Sequence, residues 1–130
     1  MTPAWTARQF GAVIDRFRAD CPSDAWDDVL VRYAMLLEKG PMCGSLVAKK
    51  LTAAKGIWEL LGHADNLQPR LLFYFSDETP KLIVFVYAFM KKSKRDYKQA
   101  IELAQKRRAL IERGERPINV IGISKSTVVH

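Results

Sequence analysis

Nine consecutive apolar residues, Leu82 to Met90 (LIVFVYAFM), run directly into the cationic cluster Lys91-Lys92-Ser93-Lys94-Arg95. Crossing a bilayer as a helix needs ~20 apolar residues, so the run is expected to be a strand. A strand that is apolar on both faces must be covered on both. It therefore belongs at the centre of a sheet, with helices on one side and a further element on the other. Its cationic end presents four positive side chains to whatever lies beyond it.

The rest of the chain supplies the covering elements. Thr6 and Gln9 have capping-box spacing, and Phe10, Val13, Ile14 and Phe17 recur at helical intervals, which predicts a first amphipathic helix. Ser23 is expected to cap a second helix with the apolar face Trp26, Val29, Leu30, Tyr33, Leu36 and Leu37, stopped by Gly40-Pro41. Ser45 to Leu51 reads as a turn or half-helix. Strands are expected at 56–61, 70–75 and 81–90, joined as an antiparallel meander through the turn Ser76-Asp77-Glu78-Thr79-Pro80. Asp96 is expected to cap a last basic helix from Tyr97 to about Arg113, ended by Gly114. Ile118 to Val129 is β-prone and reads as an added edge strand or a tail. The fold class is α+β: one domain over residues 1–130, with 114–130 as the tail.

Charge is unevenly distributed. The first 46 residues hold five basic and six acidic side chains, whereas the remainder holds sixteen and eight, so the second part carries the positive field. Such a surface attracts polyanions: nucleic acid, anionic lipid or an acidic protein. Cys21 and Cys43 lack CxxC spacing, so neither a zinc site nor a disulfide framework is indicated. Arg8 and Asp15 interrupt the only stretch resembling a signal peptide, so a cytoplasmic location is expected. No Ser/His/Asp arrangement, acidic metal pair or glycine-rich phosphate loop is evident, and no cofactor or metal is expected.

The segments Ile57-Trp58-Glu59-Leu60, Arg70-Leu71-Leu72-Phe73-Tyr74-Phe75 and Phe89-Met90-Lys91-Lys92-Ser93, in that order, resemble the RelE/HigB superfamily of toxin components, in particular its phage-derived branch. The resemblance spans residues 24–113. It implies a RelE/ParE-like fold, a small antiparallel sheet packed by an N-terminal helix hairpin and a C-terminal basic helix. It further implies the toxin of a type II toxin–antitoxin system: a ribosome-dependent endonuclease that cuts messenger RNA, arrests translation, and is restrained by a helix-turn-helix antitoxin. No membrane role follows. Some relatives on this fold inhibit gyrase instead, and a non-catalytic module binding nucleic acid or protein is the other alternative.

The sequence departs from the pattern at four places. Leu61 replaces the arginine expected after the WEL element, and Tyr87 replaces a histidine. The loop 62–69, containing His63, is longer than usual. No strand is visible ahead of Thr6, so the segment after Ile118 is expected to fill that edge instead.

Cutting RNA without a metal requires a proton acceptor for the 2′-hydroxyl, a donor to the leaving 5′-oxygen, and cations on the crowded phosphorane; losing one such cation typically costs ~10²–10³ in rate. Arg70 is the expected cation. Lys91 and Lys92 leave the strand on opposite faces, which puts Lys91 with Tyr87 on the expected reactive face, the tyrosine donating or relaying a proton. Lys49, Lys50, Lys92, Lys94 and Arg95 are the expected RNA-binding residues. His63 reads as a bystander.

Overall fold

The structure, a computed structural model, describes residues 4–122. In chain order it runs β1 (Thr6–Phe10), α1 (Val13–Asp20), α2 (Ser23–Lys39), a 3-10 turn at Gly40–Met42, β2 (Ala48–Lys50), β3 (Trp58–Leu61), β4 (Pro69–Phe75), β5 (Leu82–Met90), α3 (Arg95–Glu112) and β6 (Ile118–Asn119). The strands form one sheet in the order β2-β3-β4-β5-β1-β6. All neighbours are antiparallel except β1 and β5, which run parallel. The strand Leu82–Met90 is central, as its two apolar faces require.

Both faces are covered. On one, Ile14 of α1 and Trp26, Val29, Tyr33 and Leu36 of α2 pack on Leu60, Leu71, Phe73, Ile83 and Phe85. On the other, α3 packs Ala100 and Ala104 against a surface that includes Leu72, Tyr74, Val84 and Val86. Both alanines are fully buried. Small side chains at the contact let the helix backbone approach the sheet closely, which is why a helix so basic elsewhere needs only a narrow apolar stripe.

Four local expectations are corrected. The helix predicted from Thr6 is a strand up to Phe10, followed by a separate helix. Gln9 explains the misreading. Its Oε1 accepts hydrogen bonds from the backbone N–H groups of Ile14 and Asp15, so it caps α1 from outside, five residues upstream. The capping chemistry was real but belonged to the next element. Thus the N-terminal strand is present, and β6 pairs beyond it as the edge, rather than replacing it. The Ser45–Leu51 segment ends in a strand, β2. Ser23 is the first residue of α2, with Pro22 at the cap position and no side-chain cap bond.

Gln9 also fastens the end of the described chain. Its Nε2 donates to the Val120 carbonyl and to Asp15 Oδ2, while Gly122 N–H donates to Asp15 Oδ1. Ile121 is thereby held in the core at 1% exposure. Residues 123–130, including most of the predicted Ile118–Val129 strand and His130, lie outside the described residues.

Candidate active site

β3, β4 and β5 converge with the start of α3 at one end of the sheet, on the face that α3 covers. Side chains alternate along a strand, and directly opposed residues of antiparallel neighbours share a face. Leu72 of β4 packs beneath α3, so Arg70 faces the same way. Leu60 faces the helix hairpin, so Glu59 and Leu61 face α3. Lys49, directly opposite Glu59 on the edge strand β2, shares that face; Lys50, opposite Trp58, lies on the other, its Nζ 5.6 Å from the Trp58 ring centre.

A β-bulge sets the phase of β5. Leu72 pairs with Tyr87 but Phe73 pairs with Phe85, so Val86 is an extra residue. A bulge of this kind lets both Val86 and Tyr87 face α3, and alternation then resumes. Phe89 consequently faces α3 and Ala88 the hairpin. Lys91 and Lys92 lie just beyond the strand, the Lys91 N–H still bonded to the Gln68 carbonyl at 2.9 Å.

At the centre of this corner, the Tyr97 hydroxyl donates to Glu59 Oε1 at 2.7 Å and accepts from Arg70 Nε at 3.3 Å. Arg70 Nε is also 3.3 Å from Glu59 Oε1. The guanidinium further donates to the carbonyls of Gly62 and Pro69 and to Gln68 Oε1. Glu59 is 3% exposed and Arg70 9%. Burial, then the hydrogen bond to Glu59 and its charge, push Tyr97 up to about 12, with Arg70 opposing them. The phenol is therefore neutral and carries its proton throughout the physiological range. Phe89 meets the Tyr97 ring edge-on at 5.3 Å, and Lys91 Nζ lies 5.6 Å from the centre of that ring.

The cationic turn is held by Asp96, which accepts from the backbone N–H groups of Lys92 (2.7 Å) and Ser93 (2.9 Å). Those bonds, the Ser93 one foremost, hold its carboxyl below the usual carboxylate range. Asp96 lies inside the helix that it was expected to cap, and braces the turn in front of it. Lys92, Lys94 and Arg95 are left exposed around the corner.

The structure thus brings Arg70, Lys91 and Lys49 to one corner with Glu59 and Tyr97. Tyr87 lies one aromatic step away, 5.7 Å from Phe89, with the Arg107 guanidinium 5.4 Å from its ring centre. Glu59 and Tyr97 were not singled out from sequence. Glu59 was visible in the WEL element, but a role for it needed the register to Arg70; Tyr97 looked like the first turn of a solvated helix. Leu61 is the direct partner of Arg70, on the same face, so an arginine there would have stood beside it. His63 is exposed, and its N–H donates to Asp28 Oδ2 of α2 at 2.6 Å.

An α+β sheet with a helix hairpin on one face and a basic helix on the other is consistent with a RelE-like fold. The chain belongs to the family described as phage derived protein Gp49-like, whose model matches residues 8–109. No curated protein matches it.

Proposed function

We propose that this protein is the toxin of a type II toxin–antitoxin pair, and that it cuts messenger RNA on the ribosome. Membership of a phage-derived family, the RelE-like architecture and the cationic corner support the reading. The observation that carries it is the Tyr97 hydroxyl, held protonated between Glu59 and Arg70 beneath the Lys91 ammonium.

The chemistry follows from those positions. The ribose 2′-oxygen bonds to the adjacent phosphorus while its proton passes to the Glu59 carboxylate. The bond from phosphorus to the 5′-oxygen breaks, and that oxygen takes the Tyr97 proton. The 2.7 Å hydrogen bond between the two groups then returns a proton from Glu59 to Tyr97 and resets the pair. Arg70 and Lys91 stabilise the phosphorane charge, Arg70 from an orientation already fixed by its protein acceptors. Lys49, Lys92, Lys94 and Arg95 hold flanking phosphates, and Tyr87 widens the same face.

Translation arrest on induction, with mapped cuts in translated messages, is the expected result. Tyr97→Phe removes the proton while keeping the ring against Phe89 and Lys91, so it should abolish cutting and restore growth. Intact messages in arrested cells would sink the reading. A cytoplasmic location follows from the substrate. The proposed partner is a helix-turn-helix antitoxin whose acidic segment covers the cations.

Leu61 favours a second reading, a non-catalytic module that binds nucleic acid or protein on the same scaffold. Such a protein would bind RNA in a salt-dependent manner without cutting it on ribosomes. A gyrase inhibitor on this fold would instead damage DNA and leave messages whole.

A further inference from the structure

The flank of α3 that faces β1 and the turn that follows the helix carry two arginines, Arg107 and Arg116, with no ion-pair partner among the described residues. The Arg107 guanidinium lies 4.9 Å from the Phe10 ring centre, and Arg116 lies 4.7 Å from the same ring. Arg107 Nη1 donates to the carbonyl of Val86, the bulge residue, at 2.7 Å. Among the described residues neither Arg107 nor Arg116 has a carboxylate within ion-pair distance. Their neighbours do: Arg108 pairs with Asp77 and Glu112, and Arg113 with Glu115. Burial foremost, opposed by Tyr87 and aided by the nearby charges of Arg116 and Arg16, lowers the proton affinity of Arg107. Two like charges share one aromatic ring, and among the described residues neither is ion-paired.

We infer that Arg107 and Arg116, braced on Phe10, form a phosphate-binding subsite for the backbone of a single RNA strand. A guanidinium offers forked donors that match a phosphate, and stacking on an aromatic ring fixes the direction of the fork. A bound anion would relieve the like charges that meet at one ring. RNA is favoured over an acidic polypeptide by continuity with the corner described above. The row Arg107, Tyr87, Phe89, Tyr97 and Lys91 is joined by ring contacts of 5.4, 5.7, 5.3 and 5.6 Å. Tyr97 and Arg107 are about 15 Å apart along α3, at ~1.5 Å per residue. One strand can touch both. The subsite rests on the RNA reading and extends it, giving the enzyme a grip on message away from the cut.

The test uses the full chain carrying Tyr97→Phe, so that RNA stays whole, and a short fluorescent single-stranded RNA titrated at several salt concentrations. Each phosphate contact contributes about 0.7 to the slope of log affinity against log salt. Adding Arg116→Gln should reduce the slope by about 0.7, and Arg107→Gln with Arg116→Gln by about 1.4. Arg116→Gln leaves the Arg107 bond to Val86 in place, and an unchanged thermal midpoint is the control for an intact fold. An unchanged slope in a parent that binds RNA would overturn the subsite alone. A parent that does not bind RNA would overturn the RNA reading along with it. If both variants lose affinity for a polyglutamate peptide and keep that for RNA, the arginines serve an acidic protein and the inference fails.

Discussion

Arg70→Ala tests the polar cluster as a structural unit. The side chains of Arg70 and Glu59 are 11% and 4% exposed, so water can make good only part of a lost partner. Removing the guanidinium leaves the Glu59 carboxylate with the Tyr97 hydroxyl, and takes a donor from the Gly62 carbonyl and from that of Pro69, which keeps the Gly62 N–H. An uncompensated buried charge of this kind costs about 3–5 kcal/mol. With a urea slope of roughly 1.5–2 kcal/mol per molar, the unfolding midpoint should fall by about 1.5–3 M. Replacing both members, Glu59→Leu with Arg70→Met, removes the orphaned charge and should cost well under the single change. Tyr97→Phe deletes the bond to Glu59 and the longer one from Arg70, whose Nε keeps Glu59; the lost bond to the carboxylate dominates and should cost about 1.5–3 kcal/mol. If Arg70→Ala loses less than ~1 kcal/mol, or the double change is no milder than the single one, the cluster is not the closed ionic unit described. The outcome also bears on activity: silence in Arg70→Ala mixes lost fold with lost chemistry, whereas Tyr97→Phe isolates the proton.

Tyr74 and Tyr97 are both pushed up to about 12, Tyr74 chiefly by burial. The folded chain holds these protons more tightly than the unfolded one. Their stabilisation is thus complete below pH 10 and lost as pH rises through about 12; phenolate absorbance should show one fewer late-titrating tyrosine in Tyr97→Phe than in the wild-type chain. Leu61→Arg should place a second guanidinium beside Arg70 and raise cutting, recovering part of the ~10²–10³ that such a cation supplies; unchanged rates would show that position 61 does not face the phosphate. Gly40 holds φ +57° against the Trp5 indole, where a Cβ would collide; Gly40→Ala should destabilise by about 1–3 kcal/mol in urea unfolding. Asp96→Ala should speed hydrogen exchange at the Lys92 and Ser93 amides, which its carboxylate now holds.

The centre of the fold was legible because the apolar run admits few other places. Burial on both faces of Leu82–Met90 forced a central strand, helices on one side and α3 on the other. What was not legible was non-local. Gln9 contacts residues up to Val120, and no window around Thr6 distinguishes a capping box from a strand whose last polar side chain caps the next helix. β2 is too short for a period. At the site, Arg70 and Lys91 were visible as cations at strand ends. Glu59 and Tyr97, 38 residues apart, meet only through the β3–β4 register and the path of α3. The Val86 bulge, which sets the faces of Tyr87 and Phe89, has no signature in an unbroken apolar run.

Cutting of RNA at the Tyr97 corner by 2′-hydroxyl attack leaves a defined chemical signature at both ends of the break. Purified ribosomes stalled on a defined message, mixed with the wild-type chain or with Tyr97→Phe, allow both fragment ends to be read. New fragments ending in 2′,3′-cyclic phosphate and 5′-hydroxyl are expected with wild type, and none with Tyr97→Phe. Intact message with the wild-type chain, or cuts that persist unchanged in Tyr97→Phe, would contradict that chemistry.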